Sequence, residues 1–147
     1  MQSDNGAAPE TPGGRRRVSR ETTTAVVAKF TGVLESIVEI FAGCRFAYGD
    51  EEGLQAGLAA ALEDADYSVR REVRLDGQSR IDLLVGRIGI EVKVAGKPDA
   101  VLRQVTRYAH SDLIDGIVLV TTRVRHRMPD VINGKPIVVV SLAAAGL

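Results

Sequence analysis

The chain has 147 residues, 45% of them apolar, and 19 basic residues balance 19 acidic ones to a formal net charge of +0. That is enough chain for one domain with a core, and it excludes a global electrostatic pull toward nucleic acid, leaving only local patches. The single cysteine, Cys44, excludes an internal disulfide, and no apolar run reaches the ~20 residues of a membrane span, so a cytoplasmic setting without membrane contact is expected.

Residues 1–19 are rich in Gly, Pro, Ser, Asn and Arg, the composition of a disordered basic arm that carries Arg15, Arg16 and Arg17. Residues 20–147 read as a single domain. The spacing of Val26, Phe30, Val33, Ile37 and Phe41 predicts a helix over 20–43. Its apolar face is wide, which suits packing on its own domain or against a second copy as a homodimer. Asp50 is a good N-cap, and a second helix runs from there to about Ala65 on a stripe of Leu54, Leu58, Ala61 and Leu62. Glu51 precedes Leu54 by three residues and Leu58 by seven, so it shares their inward face, whereas Glu52 is rotated by about 100°.

Three strands are expected next, over Tyr67–Leu75, Arg80–Val85 and Ile90–Val94. The turn chemistry of Asp76-Gly77-Gln78-Ser79 separates the first two, and Gly86-Arg87-Ile88-Gly89 separates the last two. Gly96 to His110 reads as a helix with Pro98 near its start. The continuous apolar run Ile114–Thr121 predicts a strand covered on both faces. Residues 122–135 read as a polar loop containing Arg123-Val124-Arg125-His126-Arg127 and Asn133-Gly134, and Pro136–Leu142 as a last strand. The order is that of an α/β sandwich on a mixed sheet. His110 and His126 read as surface residues, and with Cys44 they are too few to close a structural zinc site.

The second and third strands hold the chemistry-bearing residues. With a two-residue turn at Arg87-Ile88, Leu84 faces Glu91 and Asp82 faces Lys93. Asp82, Leu84, Glu91 and Lys93 then share one sheet face, and Ile81, Leu83, Val85, Ile90, Val92 and Val94 the other. Asp82 and Glu91 become diagonal neighbours, with β-carbons ~7–8 Å apart. Two carboxylates so placed can close on one divalent cation, which relieves their repulsion. Lys93 beside them can hold an attacking water or a developing negative charge. Glu-x-Lys alone occurs on any exposed strand. These strands, however, are too apolar for one face to be fully solvated, since Leu84 shares the charged face.

An Asp early in one strand, a short turn, then Glu-x-Lys, all after a helix with an inward Glu, resembles the PD-(D/E)XK nuclease superfamily. The resemblance covers about residues 50–142, with the 20–43 helix outside it. It implies a restriction-endonuclease-like core of helix, three strands, helix and strand. It also implies a Mg²⁺-dependent deoxyribonuclease, with Mn²⁺ as substitute. By position, Glu51, Asp82 and Glu91 would bind metal with the Val92 carbonyl, and Lys93 would assist the attacking water. Ile81 stands where the family name has Pro. Gln104 and Tyr108, four apart on one helix face, resemble the Gln-x-x-x-Tyr of the RecB-like branch. There they would contact substrate or water, with Arg80, Arg103 and Arg107 placed to meet DNA phosphates; RNA is also open as a substrate. Two other readings remain: a nuclease-fold module that binds protein or nucleic acid without catalysis, and a dimeric junction resolvase.

Overall fold

The computed structural model describes residues 20–46, 49–123 and 126–142, with side chains from Gly32 onward. The arm over 1–19 and the loop residues Val124 and Arg125 lie outside them. Helix α1 (Arg20–Gly43) buries Leu34, Ile37 and Phe41 in the domain's own core. Helix α2 (Glu51–Asp64) starts where the sequence places its cap: Asp50 Oδ1 accepts the Gly53 N–H at 2.7 Å. Its stripe of Leu54, Leu58 and Leu62 is fully buried, and each such leucine contributes roughly 1.5–3 kcal/mol.

Strands β1 (Arg70–Arg74), β2 (Arg80–Val85) and β3 (Ile88–Lys93) form an antiparallel meander. Helix α3 (Pro98–Ala109) carries the chain over to β4 (Gly116–Thr121), parallel to β3. Strands β5 (Val131–Ile132) and β6 (Lys135–Ser141) complete a six-stranded mixed sheet in the order β1-β2-β3-β4-β6-β5. α1 and α2 cover one face, against Leu83, Val85, Ile90, Val92, Val118 and Val120. α3 covers the other, against Ile81, Leu84, Ile117 and Leu119. β4 is buried along its whole length, as its unbroken apolar run requires. Among the described residues no helix is long and apolar enough to cross a membrane.

The structure corrects four expectations. The tight turn is Gly86-Arg87, not Arg87-Ile88, because Gly86 takes the positive φ of +58° that the first turn position needs. β3 therefore starts at Ile88, and Leu84 pairs with Gly89 rather than with Glu91. Continuing that register sets Asp82 level with Glu91 instead of Lys93. Second, Ile81 packs with Leu84 under α3, not with Leu83. Third, the 122–135 loop contains β5, joined to β6 through Asn133 and Gly134, both at positive φ. Fourth, α3 begins at Pro98 rather than Gly96, since proline is suited to the first helical position.

Ile81 lies directly over Gly89. A β-carbon built there would be 2.3 Å from Ile81 Cδ1 and 3.0 Å from Ile114 Cδ1, both from fully buried side chains. Gly89→Ala is expected to destabilise the protein by ~1–3 kcal/mol through overpacking, measurable by urea denaturation.

Candidate active site at the split between the second and third strands

β2 and β3 pair from the turn only as far as Leu83 and Ile90. Beyond that the strands part, and Asp82 lies in the gap. Its Oδ2 accepts the Val92 N–H at 2.8 Å. In a continued antiparallel ladder that N–H would go to the main chain of β2, so a carboxylate stands in for a carbonyl. On its open side Asp82 lines a cleft of about 750 Å³ together with Glu51, Glu52 and Gln55 of α2 and Arg71, Glu72 and Arg80 of the meander.

Behind Asp82, Glu91 is 2% exposed, and its Oε2 has no hydrogen-bond partner. Burial, and next the adjacent Asp82 carboxylate, push its pKa up to about 10. Tyr108 and Lys93 act in the opposite direction and only partly offset this. Tyr108 is 1% exposed. Its hydroxyl donates to the Arg80 carbonyl at 3.0 Å and accepts from Gln104 Nε2 at 2.6 Å. Burial, followed by the Glu91 charge, raises its own pKa. Gln104 and Tyr108 thus hold one another and pin α3 to β2 beside Asp82. Tyr108→Phe would leave the half-buried Gln104 amide and the Arg80 carbonyl without this partner. It is expected to cost ~1–3 kcal/mol, read as a lower urea midpoint.

Helix phase separates Glu51 from Glu52 as expected. Glu51 is half-buried and its Oε1 accepts the Val94 N–H at 3.1 Å, while Glu52 is exposed. Glu51 shares the cleft with Asp82 but is engaged at the end of β3. Among the described residues, no three His, Cys, Asp or Glu side chains converge as a metal cluster. The pair that does converge is Asp82 and Glu91. Lys93 ends β3 half-buried, close enough to act electrostatically on Glu91. Arg80, 62% exposed at its side chain, pairs with Glu72 at 2.9 Å, and Arg71 donates to Gln55 Oε1 at 2.8 Å. Both stand on the cleft rim. Arg103 is exposed on α3. Arg107 lines a different cleft with the Asp76–Ser79 turn and His110.

Sequence reasoning missed His126. It is 3% exposed, not a surface residue. Its Nε2 faces the Gly96 carbonyl at 3.0 Å and so carries the proton, leaving Nδ1 to accept from the Thr121 hydroxyl at 2.6 Å. Arg123 Nε donates to the Val94 carbonyl at 3.0 Å, and Thr122 Oγ1 to the same oxygen at 3.3 Å. With Glu51 on the Val94 N–H, these bonds fix the chain just after Lys93. A histidine in an aperiodic loop gives no sequence signal of this role.

The side chains that meet at the split are oxygen donors: two acidic groups, one with an unpartnered buried atom. That suits a hard divalent cation. No protein-family model, curated protein or solved structure matches the chain.

Proposed function

We propose that the chain is a metal-dependent nuclease whose reaction centre is Asp82, Glu91 and Lys93, with the core architecture of the PD-(D/E)XK superfamily. The observation that carries this reading is the unpartnered, buried Glu91 Oε2 beside Asp82. Burying two acidic groups side by side is costly, and perturbed acids beside a cleft cluster at functional sites, which supports this reading.

Asp82, Glu91 and the Val92 carbonyl would hold Mg²⁺ or Mn²⁺, with Glu51 of the same cleft as a further ligand. When bound, the cation supplies Lewis acidity at the phosphoryl oxygen and an acidified water. The protein's own part is positional. Asp82 is aimed by the Val92 N–H. Tyr108 and Gln104 set the wall behind Glu91. Lys93 supplies a positive charge and a proton donor beside the carboxylates, where charge develops on the scissile phosphate. Arg71 and Arg80 on the rim are placed for phosphates of the strand that enters the cleft. DNA is the substrate class that the resemblance implies.

The absence of a third converging carboxylate among the described residues favours a second reading, a binding module without catalysis. A cleavage panel separates the two. Single-stranded, duplex and branched DNA, and RNA, would be incubated with the protein in Mg²⁺ or Mn²⁺. The nuclease reading requires metal-dependent cleavage of at least one substrate. Binding without cleavage in either metal supports the module.

A further inference from the structure

Glu72 sits in the middle of β1 with φ +55°, a left-handed conformation that non-glycine residues adopt at a cost and rarely inside a strand. The β1–β2 register is identical on both sides of it: Arg71 pairs with Leu83 and Val73 with Ile81. The one missing pair between them is Glu72 with Asp82. Side chains change face at this point in both strands together. Arg71 reaches Gln55 of α2, on the α1/α2 side, and its partner Leu83 lies in the same layer. Two residues on, where alternation demands the same side, Val73 and Ile81 instead pack under α3. The β2–β3 ladder also stops here, and Asp82 Oδ2 takes the Val92 N–H. Arg80 holds the Glu72 carboxylate by an ion pair of 2.9 Å.

We infer that Glu72 is a positioning residue: its left-handed backbone interrupts the β1–β2 ladder and thereby turns the Asp82 carboxylate into the β2–β3 split. A regular β1 would carry the β2 alternation through unbroken. Ile81 would then lie with Leu83 rather than over Gly89, and the Val92 N–H would return to the β2 main chain. The effect is on backbone conformation, not on the Glu72 charge. The inference deepens the proposed metal site in one respect, since it supplies the device that aims one of its ligands. The positional part stands without any catalysis.

The test compares substitutions that remove the same carboxylate but differ in backbone preference. Glycine adopts a positive φ freely, and a β-branched residue resists it. The first readout is the Val92 amide resonance of the metal-free protein, with Asp82→Ala as the reference for a lost Asp82 contact. Glu72→Gly should leave that resonance near its wild-type position, and Glu72→Val should move it as Asp82→Ala does. The second readout is Mn²⁺ affinity by calorimetry. It should be nearly unchanged in Glu72→Gly and at least ~tenfold weaker in Glu72→Val, the size expected of one such backbone strain. If Glu72→Val does not fold, Glu72→Ala, also ill-suited to this φ, replaces it. The inference is overturned if the valine or alanine variant keeps the wild-type Val92 resonance, or if Glu72→Gly loses it. Should no variant and no wild type bind Mn²⁺, the metal reading fails while the Val92 resonance still decides the role of Glu72.

Discussion

Glu91→Gln is expected to be more stable than the wild-type protein at pH 8 when both are metal-free, and inactive in Mn²⁺. The folded protein holds the Glu91 proton up to about pH 10, against an ordinary value of 4.5. Between these limits the unfolded chain releases a proton that the folded chain keeps. The stability associated with this group is therefore fully present below pH 4.5 and is lost as pH rises toward 10. The slope reaches at most ~1.4 kcal/mol per pH unit. Glutamine imitates the protonated carboxyl and does not titrate. Urea denaturation in chelator from pH 5 to pH 9 should show a falling wild-type stability and a much flatter line for the variant, the gap widening with pH. Parallel lines would show that Glu91 is not the buried acid described above. The same substitution removes a negative ligand atom from the proposed site, so Mn²⁺ should no longer stabilise the variant.

Lys93→Ala is expected to keep the fold and lose the reaction. The side chain is half-buried at the end of β3 and belongs to neither apolar cluster, so its truncation leaves no large core cavity. What disappears is the cation beside Glu91 and, in the proposed reaction, the donor to the scissile phosphate. Removal of one such positioned group typically costs ~10²–10⁴-fold in rate. The loss should fall on turnover under saturating substrate, because the proposed phosphate contacts of Arg71 and Arg80 on the rim are left in place.

Much of this arrangement was legible in the chain. The helix over 20–43, the Asp50 cap, the inward phase of Glu51 and the limits of β2 all follow from periodicity and capping chemistry. Placing the turn at Arg87-Ile88 instead of Gly86-Arg87 shifts the expected register of β3 by two residues, which preserves side-chain parity. Leu84 and Glu91 thus stayed on the face assigned to them. Ile81 did not, because its face depends on the left-handed Glu72, and a glutamate in a charged strand gives no warning of positive φ. β5 was signalled by Asn133-Gly134, the favoured pair for a two-residue hairpin turn, but two residues of strand are too short to show a pattern. The burial of His126 depends on Thr121 and the Gly96 carbonyl, contacts that only the tertiary structure makes.

The central claim is that Asp82, Glu91 and Lys93 form one phosphodiester-cleaving centre. Its most direct test is single-turnover cleavage of the best substrate in Mn²⁺ by wild type and Lys93→Ala side by side. The account expects chelator-sensitive cleavage by wild type and a rate ~10²–10⁴-fold lower in the variant, with unchanged urea stability. Equal rates in the two proteins would contradict it.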